Sequence, residues 1–192
     1  MPSTRWKRKR SWTTTRPSAI PVALGLGGNL GPVEESLARA LDRLRAALGP
    51  LTVAPLYRTR PVSPLPQPSY LNTAALAYTD MEPDAILALA MALERAAGRR
   101  RGTRLGPRPL DIDLLLYGSR TSLAPELTLP HPRLAERRFV LAPLADIAPD
   151  LPVPPGGERV ADLLARLGPA PPGEIERLAW PARPAWKAGR GA

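Results

Sequence analysis

The sequence predicts an α+β fold, built on an antiparallel sheet with helices packed on it. Segments with strand and helix patterns follow one another in the order strand, helix, strand, strand, helix, strand, which is the order of a ferredoxin-like βαββαβ core. The chain of 192 residues is long enough to bury a core of that size. It contains no cysteine, so neither disulfides nor thiolate chemistry contribute.

The first strand and helix are predicted by an apolar segment followed by a regular leucine pattern. Residues 20–26 form a short apolar run typical of a buried strand, and the glycine-rich residues 27–31 predict a tight turn. Pro32 begins a helix in which leucines recur at helical spacing, and Gly49 ends it. The turn lacks the lysine of a Walker phosphate loop, so we interpret it as a place where backbone approaches a ligand.

Two further strands and a second helix follow. Residues 51–57 and 70–79 predict strands, and the prolines between them predict an irregular loop over residues 58–69. The helix predicted over residues 82–97 has an apolar face and is followed by a capping glycine. Asn72 is unusual because its strand neighbours are apolar, and a buried amide needs hydrogen-bond partners. Either a ligand or the protein's own backbone would supply them.

The segment from Gly98 to Gly118 is the most informative, because a basic loop runs into a strand that carries two carboxylates. Asp111 and Asp113 are two residues apart in a strand and therefore project side by side. Their mutual repulsion favours a bound cation, and magnesium is commonly held by carboxylates together with substrate phosphates. Arginine makes planar, bidentate contacts to phosphate, so the segment predicts a metal and polyphosphate site. Its five arginines are Arg99, Arg100, Arg101, Arg104 and Arg108.

The last part of the predicted domain contains the only histidine of the chain. His131 lies between two prolines, where a structural role is as common as a functional one. Its candidate role is to donate a hydrogen bond to a phosphate. Residues 137–149 predict a helix or an apolar segment, and residues 160–167 predict a small closing helix.

Charge and tryptophan are concentrated at the two ends of the chain. Of the net charge of +10, six charges lie in residues 1–18 and two in residues 170–192, so residues 19–169 carry about +2. All four tryptophans also lie in these ends. We predict a disordered basic extension over residues 1–18, one folded domain over residues 19–168 and a disordered Pro/Ala-rich tail over residues 169–192.

Two classes of function remain open from the residues alone. One is an enzyme that uses metal and phosphate at the arginine-rich segment. The other is a nucleic-acid-binding or metal-dependent nuclease module that uses the basic arm with its tryptophans together with Asp111 and Asp113. Because the excess charge lies outside the core, we expect no nucleic acid there. No run is long enough to span a membrane and no secretory signal is present, so we expect a cytoplasmic monomer without a membrane partner.

Four blocks of the sequence, in order, resemble the 6-hydroxymethyl-7,8-dihydropterin pyrophosphokinases of folate biosynthesis. The blocks are LGLGGNLG, then LYRTRPV with QPSYLNTA, then LERAAGRRRGTRLGPRPLDIDLLLYG, and finally LTLPHPRLAERRFVLAPLADIAPDL. The resemblance runs from about residue 22 to residue 152 and makes residues 19–168 the expected pyrophosphokinase domain. It implies transfer of the β,γ-diphosphate of ATP to the hydroxymethyl group of the pterin, with release of AMP.

The resemblance also implies roles for individual residues, with ATP as co-substrate and two magnesium ions held by Asp111 and Asp113. Asn72 would read the donor and acceptor edge of the pterin, and Phe139 would stack on its ring. The residues implied in catalysis are Arg99, Arg101, Arg108, Asp111 and Asp113. Those implied in ATP binding are Glu94, Arg101, Arg108, Leu114, Thr128, His131 and Arg137. Those implied in pterin binding are Thr59, Val62, Tyr70, Asn72, Asp111 and Phe139.

Three positions depart from the pattern of this family. Leu105 stands where a tryptophan is frequent, Arg60 where a smaller residue or proline is common, and Pro132 where an aromatic residue can occur. None of these departures removes a charge-bearing group.

Overall fold

The computed structural model describes residues 19–61, 66–99 and 106–181, and within them it has the predicted α+β fold. Helices pack on both faces of one main antiparallel sheet. The helices are α1 (Val33–Leu48), α2 (Pro83–Ala96), α3 (Arg138–Ile147) and α4 (Val160–Arg166), with a 3-10 turn at Leu134–Glu136. The strands are β1 (Ile20–Gly28), β2 (Leu51–Val53), β3 (Leu56–Thr59), β4 (Tyr70–Thr79), β5 (Asp111–Tyr117), β6 (Ser122–Ala124), β7 (Leu127–Leu129), β8 (Pro152–Val153), β9 (Glu158–Arg159) and β10 (Ile175–Leu178).

The main sheet has the strand order β10-β3-β4-β1-β5, with β2 also paired to β4, and the pairs are antiparallel. This order confirms the predicted βαββαβ core. The second predicted strand is divided into β2 and β3 at Ala54 and Pro55. Pro55 has no N–H to donate, and the carbonyl of Ala54 accepts hydrogen bonds from the Thr73 hydroxyl and the Trp180 indole.

Two apolar cores lie on opposite faces of the sheet. Helices α1 and α2 cover one face, where Leu24 and Ile112 pack against Leu41 and Ile86. Helices α3 and α4 cover the other face with a separate buried cluster. Because β1 is covered on both sides, its sequence is apolar almost throughout rather than alternating.

The end of β1 is where the fold departs from the predicted turn. Gly27 and Gly28 are strand residues, and the turn begins only at Asn29. A Cβ at Gly28 would lie 2.5 Å from the carbonyl oxygen of Pro109, so glycine allows the segment before β5 to pack onto β1. Arg58 and Thr59, predicted to lie in the loop, continue strand β3.

The prediction that residues 169–192 form a disordered tail is wrong for its described part. Residues 175–178 form β10, which pairs with β3 along its outer edge. Trp180 is only 7% exposed and donates its indole N–H to the carbonyl of Ala54 at 2.9 Å. Four residues of strand in a proline-rich background carry too short a hydrophobic pattern to be recognised locally. Residues 1–18 and 182–192 lie outside the described residues.

No helix among the described residues is long and apolar enough to cross a membrane.

Trp180→Ala is expected to destabilise the protein by about 3–5 kcal/mol, because it empties a buried site and leaves the Ala54 carbonyl without its indole donor. Urea unfolding should show the loss as a lower midpoint. Leu123→Ala is the matched control, since that side chain is 93% exposed and its removal should leave the midpoint unchanged. Equal midpoints for Trp180→Ala and the wild type would contradict the described C-terminal packing.

Candidate active site

A row of three residues crosses the sheet near the ends of β4, β1 and β5. In the antiparallel register, Gly27 lies opposite Asn72 on one side and opposite Asp111 on the other. Gly25 lies opposite Asp113 in the next row. Cross-strand partners share a face of the sheet, so the amide and both carboxylates project from the same face on either side of two glycines. The glycines leave open space between them.

Gly27 is required by the position of Asn72. A Cβ at Gly27 would collide with the Oδ1 atom of Asn72, which lies directly over the glycine. The Asn72 side chain is buried, and its amide nitrogen donates to the Thr59 hydroxyl at 2.8 Å. Thr59 therefore fixes one end of the amide, and the absence of a side chain at Gly27 makes room for the other.

A pocket of about 300 Å³ lies over this part of the sheet. The predicted site residues that line it are Thr59, Tyr70, Asn72, Arg108, Asp111, Asp113, Arg137 and Phe139. Residues that sequence reasoning did not assign to the site also line it: Gly25, Leu26, Gly27, Arg60, Gln67, Thr73, Arg133 and Val140. The two glycines carried a signal in the GLGGNLG motif, whereas Gln67 and Arg133 had none beyond their proximity to other site residues.

Seven predicted residues are not among those lining the pocket. Three of them lie beside it: Arg99 and His131 contact its aspartates, and Glu94 contacts Arg99. Leu114 is buried in the core beneath α1 and α2, because it lies on the face of β5 opposite the carboxylates. Thr128 lies on β7 and donates to the carbonyl of Ala124. Val62 and Arg101 lie outside the described residues.

Asp111 is neutralised by two arginines. Its Oδ2 atom is 3.0 Å from Nη2 of Arg108, and its Oδ1 atom contacts Nη1 of Arg99. Glu94 also accepts from Arg99, at 2.5 Å, and from the backbone N–H of Ile112, at 2.8 Å. Burial opposes the charge of Arg99, but the two carboxylates outweigh it and hold the pKa of Arg99 above its usual value. Glu94 thus connects the end of α2 to the strand that carries both aspartates.

Asp113 has weaker compensation than Asp111. Among the described residues, the nearest basic groups are Nη1 of Arg137 at 3.6 Å and Nε2 of His131 at 3.9 Å. Burial raises the pKa of Asp113, and the charge of Asp111 raises it further, while His131 and Arg137 oppose the shift. The Asp113 carboxylate therefore has the electrostatic character of a site for an additional cation.

The hydrogen bonding of His131 indicates which ring nitrogen faces the pocket. Nδ1 accepts from the backbone N–H of Arg133 at 3.2 Å, so the proton of the neutral ring is on Nε2, the atom directed at Asp113. Burial lowers the pKa of His131, although Asp113 partly offsets this effect. The ring can therefore donate a hydrogen bond from Nε2 while it is uncharged.

Asn29 joins the ends of two loops that border the pocket. Its amide nitrogen donates to Oε1 of Gln67 at 2.9 Å and to the carbonyl of Pro68 at 3.1 Å. Its Oδ1 atom accepts from the backbone N–H of Arg108 at 2.9 Å. The Asn29 side chain thereby holds the proline-rich loop and the basic segment against the first turn.

Two aromatic rings lie beside the arginines of the pocket. The guanidinium of Arg108 is 5.7 Å from the ring centroid of Tyr70, and that of Arg137 is 5.7 Å from the ring centroid of Phe139. The pocket therefore combines flat apolar surfaces with planar cations, which suits a ligand with both an aromatic ring and phosphate groups.

The donor set of the site suits a hard divalent cation. Asp111 and Asp113 offer carboxylate oxygens, the ligands that magnesium prefers. Among the described residues, no group of three or more histidine, cysteine, aspartate or glutamate side chains forms a complete metal cage. A pair of carboxylates fits a metal that completes its coordination with substrate phosphates and water.

The comparisons with solved structures concern the fold. The crystal structure of wild-type HPPK-DHPS from Plasmodium falciparum with pteroate aligns with a TM-score of 0.63 and 14% identity, over 78% of this chain and 44% of that chain. The same protein with SDX-DHP aligns with a TM-score of 0.63 over 78% and 44%. This chain spans less than half the length of those structures, and the low identity limits the comparison to the architecture.

The comparisons with protein sequences establish the family. The 2-amino-4-hydroxy-6-hydroxymethyldihydropteridine pyrophosphokinase of Methylorubrum extorquens is 43% identical over 157 residues, which are 81% of this chain and 96% of the relative. The enzyme of that name from Pseudomonas aeruginosa is 40% identical over 159 residues, or 82% and 96%. The model of the 7,8-dihydro-6-hydroxymethylpterin-pyrophosphokinase family matches residues 23–149. The chain therefore belongs to the 7,8-dihydro-6-hydroxymethylpterin-pyrophosphokinase (HPPK) family.

Proposed function

We propose that the pocket is the place where this chain carries out the reaction of its family. That reaction is pyrophosphoryl transfer from ATP to hydroxymethyldihydropterin in folate synthesis, and the chain is accordingly an ATP-dependent diphosphotransferase. The family match gives no support to the alternative of a nucleic-acid-binding or nuclease module. The assignments of individual residues below are inferred from the geometry of the pocket.

One observation carries the assignment of the site: Asn72, Gly27 and Asp111 are neighbours across three strands. An amide suited to a heterocycle edge and a carboxylate suited to a metal and phosphates lie in one pocket, with no side chain between them. A pterin held at Asn72 would therefore present its hydroxymethyl group toward the phosphates. This proximity is the main requirement of a transfer between two bound substrates.

The pterin side comprises the amide and the aromatic residues. The Asn72 amide nitrogen is held by Thr59, so the orientation of its oxygen is fixed before a ligand arrives. Phe139 and Tyr70 supply ring surfaces, as the family resemblance implies. Val62, outside the described residues, remains a predicted member of this side.

The phosphate side comprises the cations around the two aspartates. Arg108 and Arg137 line the pocket, and Arg99 and His131 contact the aspartates from outside it. Guanidinium groups compensate the charge that accumulates on phosphate oxygens during transfer, and the Nε2–H of His131 adds a neutral donor. Of the residues implied in ATP binding, Glu94 contacts Arg99, and Thr128 lies on β7 where it contacts Ala124. Arg101 remains a prediction outside the described residues.

Asp111 and Asp113 are the residues that would hold magnesium, and we assign two ions to them. When bound, the metal neutralises phosphate charge and makes the β-phosphorus a better electrophile. A metal at Asp111 would compete with the ion pairs that Arg99 and Arg108 make to this carboxylate, and both arginines would then be available to phosphate oxygens.

The protein's contribution to the reaction is mostly positioning and charge compensation. A bond forms between the hydroxymethyl oxygen and the β-phosphorus, the bond from that phosphorus to the α-phosphate bridging oxygen breaks, and AMP leaves. The hydroxyl loses its proton in the same process. Asp111 is the carboxylate placed to assist that loss, because Gly27 alone separates it from Asn72 across the sheet.

The reaction is tested by incubating the purified protein with ATP, magnesium and 6-hydroxymethyl-7,8-dihydropterin. We expect AMP and the pterin diphosphate in equal amounts, because the two phosphoryl groups move together. Formation of ADP instead would indicate transfer of a single phosphoryl group and would contradict the proposal. A parallel incubation with single-stranded and duplex DNA should leave the nucleic acid intact.

Asp111→Ala and Asp113→Ala are expected to lower turnover by several orders of magnitude while the fold persists, because each removes half of the metal platform. AMP formation under saturating substrates measures the loss, and circular dichroism checks the fold. Asp150→Asn is the matched control, since its side chain is 79% exposed and its ion pair is with Arg159, so it should retain wild-type turnover. Near-normal activity of either alanine variant would contradict the metal assignment.

Gly27→Ala is expected to raise KM for the pterin by about tenfold or more, because the new methyl group displaces the Asn72 oxygen from its place. KM for ATP should change much less. Gly156→Ala serves as the control, since its Cβ would meet nothing within 4 Å. An unchanged pterin KM in Gly27→Ala would argue against Asn72 as the group that reads the heterocycle.

A further inference from the structure

The C-terminal segment after α4 contacts both side walls of the pterin side of the pocket. We call residues 167–180 the C-terminal strap. One wall is strand β3 with Thr59 and Arg60, and the other is the first turn of α3 with Arg137 and Phe139. These walls come from distant parts of the sequence, and the strap is bonded to each of them.

The contact with the β3 wall is a backbone one. Strand β10 of the strap pairs with β3 so that Ile175 lies opposite Thr59. The pairing continues beyond the strand, where the N–H of Arg60 donates to the carbonyl of Glu174 at 3.1 Å. Gly173 packs so closely on the Arg60 side chain that a Cβ there would lie 2.7 Å from Nη2. Arg60 lines the pocket, so the strap sets the backbone position of a pocket residue.

The contact with the α3 wall is made by Arg138. Its side chain is only 12% exposed, and its Nη2 atom donates to the carbonyl of Leu167 at 2.9 Å and to that of Pro169 at 3.4 Å. Its Nε atom forms an ion pair with the carboxylate of Glu174 at 3.5 Å. Arg138 lies between Arg137 and Phe139. It therefore connects the start of α3 with both ends of the segment that precedes β10.

The far end of α3 is fixed to the same strap. Asp146 accepts from the Tyr57 hydroxyl at 2.8 Å and from Nε of Arg177 at 2.9 Å. Burial and the neighbouring Asp146 raise the pKa of Tyr57 to about 12, so the hydroxyl remains a donor under physiological conditions. Asp146 thus holds one end of α3 on β3 and β10, and Arg138 connects the opposite end to the strap.

Arg138 is a costly residue to place there for stability alone. The N-terminus of a helix carries positive partial charge, and a cation in the first turn is unfavourable. Helix α3 begins with Arg138, the residue before it is Arg137, and no side-chain hydrogen bond caps this end. The carbonyl of Leu167 at the C-terminal end of α4, where the partial charge is negative, offsets the cost for Arg138. This placement makes sense if the helix end has to be held at a fixed distance from the strap.

We propose that the C-terminal strap sets the spacing of the two walls of the pterin side, and that Arg138 is the positioning residue that connects them. The inference rests on the proposed function of the pocket. Arg138 does not itself line the pocket; it acts through the position of Phe139 on one wall and, by way of Glu174, of Arg60 and Thr59 on the other.

The experiment measures binding of 6-hydroxymethyl-7,8-dihydropterin and of a non-hydrolysable ATP analogue by calorimetry, together with kcat and both KM values. Arg138→Met keeps the unbranched apolar stem of the side chain and removes all its donors. We expect it to weaken pterin binding about tenfold and to change ATP binding less than twofold. Arg138→Lys retains a charged donor and should recover most of the pterin affinity. Arg166→Ala, which removes an exposed arginine of α4 that pairs with Glu158, should match the wild type for both ligands.

The outcomes separate this inference from the function of the pocket. Wild-type protein that binds the ATP analogue but no pterin overturns the proposed function, and this inference with it. A folded Arg138→Met with wild-type pterin affinity, or with equal losses for both ligands, overturns the inference alone. If Arg138→Met does not fold, Glu174→Gln decides, because it removes the ion pair but keeps the carbonyl that binds Arg60. A selective pterin loss of about threefold or more then supports the strap, and unchanged affinity contradicts it.

Discussion

The site depends on a strand position that cannot carry a side chain. Gly27 lies between Asn72 and Asp111 in the sheet, and a methyl group there would occupy the place of the Asn72 oxygen. A sheet normally fills its covered faces with side chains, so an opening in the middle strand has to be made by glycine. Gly25 and Gly27 of β1 create that opening. The groups proposed to bind ligands project from β4 and β5, the strands on either side. The rest of the pocket is built around this gap.

Charge is the second constraint, because two carboxylates on one face of a strand destabilise each other. The structure compensates them unequally. Among the described residues, Asp111 pairs closely with two arginines, whereas the contacts of Asp113 to Arg137 and His131 are longer and its pKa is raised. An arrangement selected for stability alone would satisfy both carboxylates or replace one of them. The unequal compensation is consistent with a platform completed by a metal and phosphates that arrive with the substrate.

Local sequence patterns predicted the features that follow from the periodicity of one strand or helix. They did not predict which residues are brought together by pairing between distant strands. The spacing of Asp111 and Asp113 predicted their common face. The apolar neighbours of Asn72 indicated that its buried amide needs hydrogen-bond partners, from a ligand or from the protein. The adjacency of Asn72 and Asp111 across β1 follows from the pairing of residue 27 with residues 72 and 111, which no local pattern encodes. Leu114 illustrates how sharply register matters, because one residue along a strand reverses the face and places its side chain in the core, opposite the carboxylates. The strand around residue 175 was missed because its partner, β3, lies more than 100 residues earlier.

The corrected C-terminal segment changes how the two substrate sides are related. Arg137, proposed for the phosphate side, comes directly before α3, and Phe139, proposed for the pterin side, is the second residue of the helix. The two ends of α3 are held by the strap and by β3, so a displacement of its first turn moves both groups together. The helix is therefore a rigid connection between the proposed pterin and phosphate sides. In such an arrangement, the residues after α4 contribute to catalysis without touching either substrate, because they determine the distance across which the substrates have to meet.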